Sequence, residues 1–89
     1  MAKILVIEDE SRMADLLKRG LEESGHMVTM ADGVASGRAA FSNGVFDIVV
    51  SDVMLPDGSG FDLCRTIRAH DESLPILMLT ALGTTDDKL

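Results

Sequence analysis

Four short apolar runs recur through the 89-residue chain: KILVI at Lys3–Ile7, MVTMA at Met27–Ala31, FDIVVS at Phe46–Ser51 and ILMLT at Ile76–Thr80. The stretches between them have helical character, and this alternation is the strongest constraint on the fold. Runs rich in Val, Ile and Leu on successive residues suit strands covered on both faces, as in parallel sheets. Parallel neighbours need crossover connections, which are right-handed and usually helical. The predicted class is therefore α/β, a doubly wound parallel sheet with helices on both faces.

The connecting stretches fit. Ser11 is placed to cap a helix in which Met13, Leu16, Leu17 and Leu21 recur at helical spacing until Gly25 supplies a stop. Asp32 and Gly33 turn the weaker second run into an alanine-rich helix from about Val34 to Ser42, where small residues such as Gly37 allow close approach to a sheet. Asn43 and Gly44 mark the next turn. After a loop at Pro56–Gly60, Phe61, Leu63, Cys64 and Ile67 line one side of a third helix that runs out near His70. Pro75 opens the fourth strand, and Gly83–Leu89 reads as the first turns of a further helix.

One domain is the most that 89 residues allow, and 46% hydrophobic content places it among globular chains. A formal net charge of -7 without a basic stripe argues against direct nucleic-acid binding by this chain, because phosphate contacts need clustered Lys and Arg. The single cysteine, Cys64, cannot form an internal disulfide and suits a buried position. With no signal-peptide pattern and no apolar run long enough to cross a bilayer, the expected setting is cytoplasmic, without membrane contact.

Chemistry in such sheets gathers at the carboxyl ends of the strands. Glu8 and Asp9 follow the first strand, Asp52 the third, and Thr80 ends the fourth. Three carboxylates in one crevice raise one another's pKa unless a positive charge lies between them. A hard divalent cation with oxygen ligands answers this, and Mg²⁺ is favoured because its sites use few carboxylates and recruit phosphate oxygens. A metal-neutralised Asp52 is then a nucleophile toward phosphorus, and the Thr80 hydroxyl a donor to a phosphoryl oxygen. Glu10 and Asp57 read as solvated loop acids, Met13 and Met78 as packing residues, His70 as a surface residue, and Asp62, Arg65 and Arg68 as a polar helix face. Two other functions fit these residues less well. A phosphohydrolase with an Asp nucleophile wants a second acid two residues on, where Met54 stands; a nucleotide or flavin site would be repelled by Glu8, Asp9 and Glu10.

The segments KILVIEDE, DIVVSDVMLPDGSGFDLCRTIRA and PILMLTA together resemble the receiver domain of two-component response regulators, in order and spacing, over nearly the whole chain. The resemblance implies a flavodoxin-like sheet, with residues 1–89 forming a partial receiver domain that lacks the fifth strand and fifth helix. It implies Asp52 as phosphoacceptor, Asp9 and Asp52 as direct Mg²⁺ ligands, Glu8 acting through water, and the Met54 backbone carbonyl completing the protein's share. Thr80 becomes the switch hydroxyl, while Met54 and Leu82 occupy positions that influence phosphate lifetime. The implied donor is the phosphohistidine of a sensor histidine kinase. The implied output is a C-terminal DNA-binding, transcription-controlling domain, and the chain itself is a phosphoacceptor, not an enzyme. Family members carry a lysine on the fifth strand that pairs with the phosphoryl group, and Lys88 does not stand in its place. Impaired phosphotransfer is thus expected of these 89 residues, as is self-association through the fourth strand or a bare sheet face. An inactive excised or engineered fragment that self-associates is the alternative.

Overall fold

The apolar runs form the strands they predict. The computed structural model describes residues 1–79, and the main sheet contains β1 (Lys3–Ile7), β2 (Met27–Ala31), β3 (Ile48–Asp52) and β6 (Ile76–Leu79). Between them lie helices α1 (Ser11–Glu23), α2 (Val34–Asn43) and α3 (Gly60–His70), and a small hairpin of β4 (Met54–Leu55) and β5 (Gly58–Ser59). The sheet order is β2-β1-β3-β6, and every pairing in it is parallel. The chain therefore winds outward from β1 in one direction and from β3 in the other. The carboxyl ends of those two strands flank the switch point, where open α/β sheets place ligands.

Strand alternation divides the core in two. Leu5, Ile7, Ala31 and Val49 pack with Leu63, Ile67 and Leu74 on the face covered by α2 and α3. Ile4, Val6 and Val50 turn to the other face, toward Leu17 and Leu21 of α1. Fully burying side chains of this size contributes about 1.5–3 kcal/mol each, and Leu5, Ile7, Leu63 and Ile67 meet that condition. The small residues of α2 have the expected use: a Cβ on Gly37 would lie 2.9 Å from Leu63 Cδ2 and 3.0 Å from Ile7 Cδ1.

Several expectations need correction. The cap of α1 is Glu10, not Ser11: extended at φ -81 and ψ 115, it accepts a hydrogen bond from the Met13 amide at 2.8 Å. Its carboxylate reaches the third helical amide and complements the positive end of the helix, so Ser11 becomes the first helical residue. Gly25 does stop the helix, at φ +90, where the left-handed backbone favours glycine. Met13 is 44% and Leu16 66% exposed, because the apolar cluster on this face of the sheet is met by Leu17 and Leu21 of α1. Phe61 is likewise exposed and Cys64 only half-buried, leaving Leu63 and Ile67 as the buried stripe of α3. The third strand starts later than Phe46 and includes Asp52, which pairs with Leu79. The expected loop is in part a hairpin: β4, before Pro56, pairs with β5, Met54 with Ser59 and Leu55 with Gly58. Ser59 then caps α3 through the Phe61 amide at 3.1 Å.

Candidate functional site

Two adjacent parallel strands bring the acids together. The Glu8 amide donates to the Ala31 carbonyl at 2.9 Å, extending the β1–β2 ladder one residue past the strand and fixing the backbone from which Glu8 and Asp9 project. Asp52 closes β3, and the next amide, Val53, donates to the Leu79 carbonyl at 3.1 Å. One carboxylate oxygen from each of Glu8, Asp9 and Asp52 lies within 4.8 Å of the others. Glu8 and Asp52 are buried, at 6% and 7% exposure, while Asp9 is exposed.

The electrostatics follow from that burial. Desolvation pushes the Glu8 carboxyl above its ordinary value, and the charges of Asp52 and Asp9 push the same way. The Glu10 amide, donating to Glu8 Oε2 at 3.0 Å, opposes the shift. Asp52 Oδ1 is buried and accepts no hydrogen bond from the described residues. A buried carboxylate oxygen without a donor costs free energy, and two acidic neighbours increase the cost. This donor set, all hard oxygens with an orphaned buried atom, fits a small divalent cation. A cleft of about 490 Å³ between α1 and the β2–α2 turn is lined by Glu8, Asp9, Asp15, Lys18 and Asp32 but not by Asp52. It shares Glu8 and Asp9 with the cluster but does not reach Asp52.

Close packing behind Asp52 fixes its backbone. The Gly60 amide donates to the Val53 carbonyl at 2.7 Å, and a Cβ on Gly60 would collide with the Asp52 carbonyl oxygen. Glycine is required there by contact, not by conformation. Ser51, buried at the preceding position, donates its hydroxyl to the same Asp52 carbonyl at 3.0 Å.

Of the residues expected at the site, the structure brings Glu8, Asp9 and Asp52 together and places Met54 two residues on, at the start of the hairpin. Thr80, Leu82 and Lys88 lie outside the described residues. Sequence reasoning missed the role of Asp57. Instead of a solvated loop acid, it accepts hydrogen bonds from the Val34 amide at 2.6 Å and the Ala35 amide at 3.0 Å, at the start of α2. Those amides hold its carboxyl below the ordinary range, Ala35 more than Val34. Glu10 stays exposed, as expected, but has a structural duty as the α1 cap. Arg65 pairs with Asp62 on the exposed face of α3, whereas Arg68 donates to the carbonyls of Glu72 and Leu74 at 3.2 and 3.1 Å and shapes the turn into β6.

Comparison with known proteins identifies the family and the fold. The profile of the response regulator receiver domain family matches residues 4–89. The transcriptional regulatory protein CusR of Escherichia coli K12 is 39% identical over 87 residues, covering 98% of this chain and 38% of CusR. TcrA of Mycobacterium tuberculosis H37Rv, also a transcriptional regulatory protein, is 48% identical over 90 residues, covering 98% of this chain and 34% of TcrA. The chain thus spans little more than a third of these curated relatives. Among solved structures, the non-phosphorylated HemR receiver domain of Leptospira biflexa superposes with a TM-score of 0.87 at 31% identity, covering 98% of this chain and 80% of that one. The response regulator TrrA of Thermotoga maritima, in complex with Mg²⁺ and BeF, superposes with a TM-score of 0.87 at 27% identity, covering 100% of this chain and 86% of that one.

Proposed function

The chain belongs to the response regulator receiver domain family, and on that premise we propose that Asp52 is its phosphoacceptor in a site that uses Mg²⁺. One observation carries the reading: Asp52 Oδ1 is buried without a donor beside two further carboxylates. Asp9 and Asp52 would hold the cation directly, Glu8 through water and Met54 through its backbone carbonyl. When bound, Mg²⁺ offsets the carboxylate charge and that of the incoming phosphoryl group. The remaining chemistry belongs to the chain. An Asp52 carboxylate oxygen attacks phosphorus, the bond from phosphorus to the donor's imidazole nitrogen breaks, and the imidazole leaves with that electron pair. The Ser51 hydroxyl on the Asp52 carbonyl and the Gly60 amide on the Val53 carbonyl fix the backbone that carries Asp52, and the low exposure of Glu8 and Asp52 limits water at the product. Thr80 is proposed as the hydroxyl that turns toward the phosphoryl group.

The proposed donor is the phosphohistidine of a sensor histidine kinase, and the proposed output is transcription, by likeness to the transcriptional regulatory proteins CusR and TcrA. The chain acts as an acceptor that changes state, without turning over a substrate. Residues 1–89 are proposed to form one receiver unit, with self-association through the β6 edge or the neighbouring sheet face. The test of the central assignment is chemical labelling: acetyl phosphate with Mg²⁺ places one hydroxylamine-sensitive phosphoryl group on Asp52, and Asp52→Asn receives none. Labelling that survives this substitution contradicts the assignment.

A further inference from the structure

The turn that follows Asp52 is tied to a distant element. Asp57, between β4 and β5, takes both of its amide contacts from residues 23 and 22 positions earlier, Val34 and Ala35. The approach is close enough that a Cβ on Gly33 would fall 2.7 Å from Asp57 Oδ1. Beyond it, Gly58 has φ +154, and a Cβ there would meet Val34 Cγ2 at 3.2 Å. At the other end of the turn, Gly60 closes onto Val53 and the Asp52 carbonyl. The segment carrying Met54 is therefore held at two points, one on the strand of Asp52 and one on the first turn of α2.

We propose that Asp57 is a positioning residue: by bridging the Val34 and Ala35 amides it locks the turn so that Met54 keeps the backbone arrangement a divalent cation needs beside Asp52. This rests on the Mg²⁺ reading given above. The bridge uses both carboxylate oxygens, one for each amide. An asparagine offers one acceptor oxygen and an alanine none, so the substitutions grade the bridge without altering any proposed ligand.

The test is Mg²⁺ affinity by titration calorimetry, combined with amide hydrogen exchange, on wild type, Asp57→Asn and Asp57→Ala. Supporting residues behind metal ligands typically change affinity by about 10–100-fold when removed. The expected result is about a tenfold loss of Mg²⁺ affinity in Asp57→Ala and a smaller loss in Asp57→Asn. Faster exchange at Gly60 as well as at Val34 and Ala35 should accompany it. A purely local role at the start of α2 would speed exchange at Val34 and Ala35 alone, and that outcome, with unchanged Mg²⁺ affinity, overturns the proposal. If Asp57→Ala fails to fold, Asp57→Asn supplies the comparison. Should wild type itself bind no Mg²⁺, the cation reading fails, and Gly60 exchange alone decides whether Asp57 locks the turn.

Discussion

Glu8 and Asp52 are two buried carboxylates at the carboxyl ends of adjacent strands, and such a pair costs stability until something positive meets it. Because burial first, and neighbouring charge second, raise the Glu8 pKa, the folded chain binds that proton more tightly than the unfolded chain. The contribution of Glu8 is then fully present below its ordinary value of 4.5 and is lost as pH rises through the raised folded value. Asp57 has the opposite sign: its contribution holds above its ordinary 3.8 and is lost as pH falls through the lowered folded value. Without divalent cation, Glu8→Gln should therefore raise the melting temperature at neutral pH by several degrees. The gain should shrink at pH about 4 and on adding Mg²⁺ to wild type. Thermal melts at two pH values, with and without Mg²⁺, check this, and equal melting temperatures throughout would contradict it. Glu8, Asp9 and Asp52 were legible because strand ends in a parallel sheet converge on one edge. Asp57 was not, because an Asp-Gly turn suits a solvated loop equally well and its partners lie more than twenty residues away.

At the scale of elements, α2 and α3 press on the sheet closely enough that one methyl group matters. Replacing Gly37 by alanine gains about 1 kcal/mol of helix propensity but overpacks Leu63 and Ile7, at a cost of about 1–3 kcal/mol. The packing cost wins because both neighbours are fully buried, so Gly37→Ala should lower the denaturant midpoint without changing its slope. A raised midpoint would show that the interface yields. The helices were legible from apolar spacing, but not the depth of each face. Periodicity placed Leu16 and Leu17 on one helix alike; only the position of the sheet separates the exposed Leu16 from the packed Leu17. Likewise, Ser11 is a good cap by type, yet the chain leaves β1 so that Glu10 stands where the cap must be. The two-residue strands β4 and β5 carry too few residues for any periodic signal.

For the molecule as a whole, four apolar runs in alternation with helices were enough to specify the parallel sheet, since crossovers of one hand leave few topologies. The β2-β1-β3-β6 order sets the acids that end β1 and β3 side by side, so the fold and the acidic cluster were legible together. The same order leaves β6 paired on one side only among the described residues. On the α1 face, Leu77 of β6 is 54% exposed near the half-buried Ile48 and Leu79. Paired edges and covered apolar faces are the rule in stable sheets, so the 89-residue chain should gain mass with concentration in sedimentation equilibrium. A constant monomer mass would contradict that expectation. The central claim, that Asp52 accepts a phosphoryl group in a cation-dependent site, is tested most directly by intact-mass and peptide analysis after incubation with acetyl phosphate. The prediction is a single phosphoryl group on Asp52, formed slowly with Mg²⁺ and absent with chelator or in Asp52→Asn; phosphate on another residue, or none on Asp52 when Mg²⁺ is present, would contradict it.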